Sequence, residues 1–393
     1  MFSQRFLISP GAGIIVYTKP GNSTAEYDGI RKEAAALLDA NGNGEEPSER
    51  VPTKEEIIHL LRSEDPAEID LLFEKADKVR KKYTGDAVHI RGIIEASNIC
   101  TRNCLYCGLR KDNSGIPRYR MDIPEIYTAA AGVRELGYGT VVIQTGESRV
   151  YDIDELCVLV SDIRSELGLA VTLSLGELKR EEYALLREAG ADRYLLRFET
   201  SDRLLFKRLK PDGDHEKRLE RLRWLRELGF QVGSGIMIGL PDQSAESIAD
   251  DILMFRELEL DMVGAGPFIP NPDTPLASYP EGCLSDSLKL IALTRIVTLN
   301  THIPVTTALG TIHPEGRREG LRCGANVIMP NCTPLKYKKD YLLYPAKAGI
   351  KETTGELARQ IEKMVISCGR TIGRGKGHSL KIHSKGSFAR DEK

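Results

Sequence analysis

From residue 88 onward the chain alternates short apolar runs with amphipathic stretches of helical period, and this alternation constrains the fold more than any other feature. The runs fall at 89–95, 140–144, 170–175, 193–197, 231–238, 262–265, 303–307 and 326–329. Helical patterns follow them near 123–137, 153–167, 179–189, 214–229, 244–258, 284–299, 314–322 and 355–369. Parallel neighbours cannot be joined by a tight hairpin and need a crossover, so repeated strand-then-helix units predict a parallel sheet. Eight such units predict an α/β fold, a (β/α)8 TIM-type barrel; one miscounted run would leave an open, six-stranded partial barrel. Gly137, Gly168, Gly190 and Gly229 stand where helix ends favour a left-handed residue.

Four regions are expected. Residues 1–50 read as an N-terminal extension ending in a Gly-, Asn- and Glu-rich linker, and 51–84 as a helical segment packed on the barrel. Thr53-Lys-Glu-Glu56 opens that segment as a capping box. The barrel is expected over 85–370, and 371–393, basic and rich in glycine, reads as a flexible tail. Asp39, Asn41, Asn43 and Gly44 imitate a calcium loop, but Arg50 stands where the bidentate Glu is required and Pro47 interrupts it, so calcium is rejected.

In a parallel barrel the chemistry gathers at the C-terminal ends of the strands. Directly after the first run comes Cys100-Thr-Arg-Asn-Cys104-Leu-Tyr-Cys107. Thiolates at C-x3-C-x2-C spacing can wrap one soft metal site. A zinc knuckle lacks its fourth ligand, since the next histidine after Cys107 is His215. A cubane iron–sulfur cluster takes four cysteines as a rule, so three local thiols leave one iron open to a ligand. Clustered free thiols point to a reducing cytoplasm. With Lys plus Arg at 55 and Asp plus Glu at 57, no basic surface is foreseen for nucleic acid or membrane, and no apolar stretch is long enough to span a bilayer.

Other strand ends supply polar groups. The second ends in Gln144-Thr145-Gly146-Glu147 and the third in Thr172-Leu-Ser-Leu-Gly-Glu177. The fourth ends in Arg197-Phe-Glu199, where alternation puts both charges on one side. Arg218 adds a planar, bidentate donor suited to a carboxylate, so these groups can hold the two ends of an α-amino acid moiety. Without the cysteines, Arg197 and Glu199 would read as a structural ion pair. The Gly-punctuated run Gly233–Pro241 does not match G-x-G-x-x-G, which disfavours a nicotinamide site.

The cysteine motif, with Tyr106 before its last thiol, resembles the cluster loop of radical S-adenosylmethionine (SAM) enzymes. Within that superfamily the chain resembles the HydE family of FeFe-hydrogenase maturases. The matching segments include Arg91-Gly-Ile-Ile-Glu95, Cys104-Leu-Tyr-Cys-Gly-Leu-Arg110, Val171-Thr-Leu-Ser-Leu-Gly-Glu177 and Arg322-Cys-Gly-Ala-Asn-Val-Ile-Met-Pro-Asn331. The resemblance implies one 4Fe–4S cluster on Cys100, Cys104 and Cys107, with SAM on its open iron. It further implies cofactor contacts from Tyr106, Thr145, Gly146, Glu147, Arg197, Glu199, Arg218 and Met237. A substrate site deeper in the barrel is implied near Arg91, Gln144, Thr172, Thr306, Thr307, Tyr341 and Tyr344. The substrate would be a small-molecule or organometallic, cysteine-ligated iron precursor. The implied partners are an electron donor such as a ferredoxin or flavodoxin and other hydrogenase-maturation proteins.

The chain departs from the family at Phe198, where His is frequent, and in carrying no C-terminal cysteine triplet between Cys332 and Cys368; no second cluster is expected. Cys157, Cys283, Cys323, Cys332 and Cys368 read as structural. Two rival readings remain open: a lysine mutase of the methylornithine synthase type, or another member of the biotin and thiazole synthase group, and a scaffold that only carries the cluster.

Overall fold

The computed structural model describes residues 24–38 and 50–381. The calcium-like run falls almost wholly outside these residues, as do 382–393. Helices α1 (Thr24–Leu38), α2 (Lys54–Arg62) and α3 (Pro66–Thr84) precede the barrel. The chain continues through β1 (Ala87–Ser97), α4 (Ile123–Glu135), β2 (Thr140–Thr145), α5 (Ile153–Leu167), β3 (Ala170–Ser174), α6 (Arg180–Glu188) and β4 (Arg193–Leu195). Next come α7 (Arg203–Leu209), α8 (His215–Glu227), β5 (Gln231–Ser234), β6 (Met237–Ile238), α9 (Ala245–Glu257), β7 (Met262–Val263), β8 (Gly266–Pro267) and α10 (Leu284–Thr298). The last elements are β9 (Pro304–Val305), α11 (Thr307–Ile312), α12 (Gly316–Arg322), β10 (Val327–Ile328), α13 (Leu335–Lys338), α14 (Thr354–Ser367) and β11 (Thr371–Gly373).

Eight strands of a nine-stranded parallel sheet follow one another in the order β7-β5-β4-β3-β2-β1-β10-β9, with β11 beside β1 off this path. Its two ends meet at a Met262–His302 bridge, with Val263 N donating to His302 O at 2.9 Å, so the sheet is a nearly closed barrel rather than an open partial one. Alternation along β1 sorts its side chains. A Cβ at Gly92 would press on Val133 of α4, so even positions face the helices. Arg91 instead reaches across the interior to Met262 Sδ at 3.0 Å, so His89, Arg91, Ile93 and Glu95 face the lumen.

The expected capping box at Thr53 is present, and the four helix-ending glycines all have positive φ. α10 is buried on nearly every face because α2 and α3 cover its outer side. The single run read at 231–238 is two strands: β5 lies in the barrel and β6 pairs with β8 beyond it. The break falls at Gly235, where any Cβ would collide with Gly264 O as the two segments cross.

The segment read as the start of a flexible tail is instead part of the fold through Lys381. β11 adds to the N-terminal end of β1, and residues 376–378 then plug the barrel floor. Lys376 O accepts from Thr140 Oγ1 and Arg193, and Gly377 O accepts from Arg91 and Arg193. Gly377 must be glycine there, since its φ is +56° and a Cβ would press on the His89 ring.

On the floor His89 and His302 meet edge to face at 5.0 Å, near His378 of the plug, whose ring lies against Arg193 and Gln231. Burial, with Arg91 and Arg193 adding to it, depresses His89 from 6.5 to about 4; burial likewise holds His302 well below its ordinary value. As pH falls the unfolded chain takes up these protons first, so their stability contribution is full above about pH 6.5 and drains toward pH 4. We expect His89 alone to remove about 2 kcal/mol between pH 7 and 5. Urea unfolding at both pH values checks this: His89→Gln should show a shallower loss than the parent chain.

Candidate active site at the barrel mouth

The cysteine loop leaves β1 at the C-terminal end of the barrel and is fastened to the end of β2. Gly146 N donates to Ser97 O at 2.8 Å, and Thr101 donates to Glu147 O through both its N–H and its hydroxyl. Gly146 packs so closely on Ile99 and Cys100 that a Cβ would not fit. Cys100, Cys104 and Cys107 are all free thiols. Burial pushes the Cys107 thiol up, and the charges of Cys104 and Cys100 on the same loop add to that. Burial raises Cys100 for the same reason. Such thiols ionise when a cation compensates the charge. Among the described residues no three acidic, His or Cys side chains converge as tightly as a single ion needs. A cubane differs, because it spreads its sulfur ligands over separate irons.

Behind the loop lies a charged shelf. Glu147 accepts from Arg102 Nε and, at 3.3 Å, from Arg218. Glu177 takes Arg102 at 3.1 Å and faces Arg218 Nε at 3.0 Å. Burial works against the charge of Glu147, but Arg218, Lys210 and Arg102 outweigh it and hold the carboxyl below its usual range. Arg218 is only 3% exposed, and Glu147 and Glu177 raise its pKa against the pull of burial.

Arg197 and Glu199 face the same side, with Nε and Oε2 3.5 Å apart. Phe198 between them points the other way, into the core against Phe255, so the histidine-to-phenylalanine departure does not alter the mouth. Tyr106 donates its hydroxyl to Glu199 Oε1 at 2.9 Å. Glu199 Oε2 and Arg197 Nε and Nη2 are buried without a hydrogen-bond partner among the described residues. Buried polar atoms left open this way are a binding surface for a charged, hydrogen-bonding ligand. Met237 belongs to a small apolar cluster with Leu205, Leu209 and Phe268 that supports Leu105 and Tyr106 from below. Thr145 turns its hydroxyl onto Gly146 O at 2.7 Å.

A strap over residues 340–350 crosses the lumen. Asn98 Nδ2 donates to Asp340 O, and Gly108 N donates to Leu343 O, so the strap is tied to the cysteine loop. Tyr341 is 1% exposed and accepts from Gln144 Nε2 at 3.0 Å. Lys347 forms an ion pair with Glu95, whose second oxygen takes Asn331 Nδ2 at 2.9 Å; both charged side chains are 4% exposed. Removing one partner of such a pair leaves a buried charge. We therefore expect Lys347→Ala to cost about 3 kcal/mol, read from urea unfolding, and Glu95→Gln in the same chain to restore much of it.

The structure thus gathers most of the expected residues, but in two places. The cysteines, Tyr106, Thr145, Gly146, Glu147, Arg197, Glu199, Arg218 and Met237 surround the mouth. Gln144 meets Tyr341 of the strap. Thr306 caps α11 and Thr307 begins it, while burial and Glu95 raise the Tyr344 hydroxyl beside Thr311. Arg91 and Thr172 lie apart, around a floor cavity of about 10 Å³, room for roughly one water. Sequence reasoning missed Arg102, Glu95 and Lys347. Arg102 sits inside the motif and could have been weighed; Lys347 carried no local signal.

The Radical SAM superfamily model matches residues 94–255. The FeFe hydrogenase maturase subunit HydE of Thermotoga maritima is 48% identical over 84% of this chain and 94% of its own length. The 3-methylornithine synthase of Methanosarcina acetivorans is 29% identical over 72% of this chain and 81% of its own. The crystal structure of methylornithine synthase superposes with a TM-score of 0.73 at 23% identity, covering 86% of this chain and 97% of that one.

Proposed function

The chain belongs to the radical SAM superfamily, on the branch of the FeFe hydrogenase maturase subunit HydE, and from that premise we propose that it modifies a small, cysteine-derived, iron-bound precursor during hydrogenase cluster assembly. It is a radical SAM enzyme. The observation that carries the finer reading is the hydrogen bond from Tyr106, inside the three-cysteine loop, to Glu199, where Glu199 Oε2 and Arg197 leave buried polar atoms without a hydrogen bond. Cys100, Cys104 and Cys107 would hold three irons, and the amino-acid end of SAM would take the fourth. When bound, the cluster and SAM supply one-electron reductive cleavage to methionine and an adenosyl radical.

The protein's own residues do the rest. Tyr106 holds Glu199 in place to accept from the cofactor. Arg218 keeps Glu147 ionised beneath the loop. The strap, latched by Lys347 and Glu95, excludes water from the lumen. Gln144, Thr306, Thr307, Tyr341 and Tyr344 form the substrate wall, with Arg91 and Thr172 setting the polarity of the floor. The chain requires an electron donor and works with other maturation proteins. No helix of the described residues is long and apolar enough to cross a membrane.

A single cluster is part of the proposal, supported by the dispersal of the other cysteines. Cys157 lies in α5, Cys283 caps α10, Cys332 packs behind Gly92, and Cys323 and Cys368 end α12 and α14. Cys368→Ala should retain its full iron content; loss of iron would end the single-cluster reading. The function is tested by in vitro maturation. Added to an apo-hydrogenase with its other maturation proteins, SAM and reductant, this chain should restore hydrogen evolution. No activation, together with a branched isomer appearing from lysine, would favour the mutase instead.

A further inference from the structure

Glu199 presents Oε2 at the mouth without a hydrogen bond, 3.5 Å from Arg197 Nε, yet it lies beyond the end of its strand and in a conformation it would not choose. β4 ends at Leu195, and the next residues hang on β5 by single bonds: Leu196 N to Gly233 O, Phe198 N to Ser234 Oγ and Glu199 N to Gly235 O. Glu199 has φ of 73°, a left-handed backbone that an L side chain resists. Strain of this kind persists where the surroundings over-determine it. The constraint comes from the two residues that follow.

Thr200 is fully buried, and two helices grip it. His215 of α8 places Nε2 2.9 Å from Thr200 O. Asp251 of α9, itself 0% exposed, turns Oδ1 to Ser201 N, to Ser201 Oγ at 2.6 Å and to Thr200 Oγ1 at 3.3 Å. Thr200 Oγ1 also accepts from Asp202 N at 3.1 Å, which begins α7. A carboxylate is costly to bury, and an apolar residue at 251 would pack at less cost. Burial indeed pushes Asp251 up to about 7 against the pull of its donors. What the carboxylate provides is a fixed turn directly behind Glu199.

Resting on the radical SAM reading above, we propose that Asp251 is a positioning residue for the cofactor: with His215 it clamps the Thr200–Ser201 turn and thereby aims the Glu199 carboxylate into the mouth. The hydrogen bonds of Asp251 go to the Thr200–Ser201 turn rather than to the cysteine loop. Its effect runs through the backbone of a single neighbouring turn.

The test uses the reconstituted full chain, with SAM titrated against the reduced cluster's EPR signal. Asp251→Ala should keep its iron content and bind SAM about tenfold more weakly, the loss expected when a charge-assisted anchor goes. Asp251→Asn retains an acceptor at Oδ1 and should recover most of the affinity, a rescue that a purely packing role would not produce. Should Asp251→Ala fail to fold, the Thr200→Ala, Ser201→Ala double variant removes the side-chain donors instead and should weaken SAM to a similar degree. Either variant binding SAM as tightly as the parent, with its cluster intact, would overturn the proposal. A parent chain whose EPR signal ignores SAM would instead defeat the radical SAM reading itself, so the two failures are distinct.

Discussion

Replacing any one of Cys100, Cys104 or Cys107 with alanine should remove the cluster and the radical chemistry together. The three thiols sit on one short loop, where burial raises Cys100 and Cys107 and the neighbouring sulfur charges add to it, so each is part of a single unit that needs its charge compensated. Two remaining sulfurs cannot anchor a cubane against loss to solvent. Iron per chain should fall close to background, and SAM cleavage should drop by about a thousandfold or more, the scale on which losing an essential member of a catalytic unit is felt. The fold itself should survive, because the barrel core does not pass through the loop. Cys157→Ala serves as the control and should keep both iron and activity; equal loss in the control would mean that iron binding is not confined to the loop.

Arg218→Ala should produce the second largest effect. The guanidinium is 3% exposed and bridges Glu147 and Glu177. Without it the two carboxylates are left with Arg102, with Lys210 near Glu147, and with the more distant Arg221, which faces Glu177 at 3.8 Å. Breaking a buried pair in this way costs about 3–5 kcal/mol. Because Thr101 hangs on the backbone of Glu147, the disturbance reaches the cysteine loop, and SAM affinity should fall about a hundredfold with it. The sign with pH is also determined. In the parent, the folded pKa of Glu147 lies below its unfolded value, so its contribution is present above about 4.5 and is lost as pH falls. In Arg218→Ala the same carboxyl is buried without its main partner, so protonation becomes favourable and the stability deficit should narrow toward pH 5. Urea unfolding at pH 7 and pH 5 decides; a deficit independent of pH would contradict the electrostatic role.

What could be read in the chain follows the range of the interactions involved. The cysteine loop was legible because its ligands lie within eight residues, and the barrel because each strand buried on both faces leaves an apolar run. The pairing of Arg197 with Glu199 followed from period-two alternation, and Phe198 confirmed it by pointing into the core. The errors share one cause. Residues 371–381 look like a flexible tail because glycines and basic residues offer no apolar face. Their role depends on backbone carbonyls meeting Arg91 and Arg193, which are more than 180 residues away in sequence. Lys347 was equally silent, since its partner Glu95 lies 252 residues earlier. The break at Gly235 escaped notice because only the crossing of a segment distant in sequence, at Gly264, requires it.

The central claim is that the three thiols and the open atoms of Arg197 and Glu199 form one site, at which a cluster and SAM meet. The most direct measurement is the EPR spectrum of the reduced, reconstituted chain with and without SAM, followed by analysis of the products. The account predicts a changed cluster signal on adding SAM and the appearance of methionine and 5′-deoxyadenosine in equal amounts. An unchanged signal with neither product would contradict it and leave the chain as a carrier of iron and sulfur.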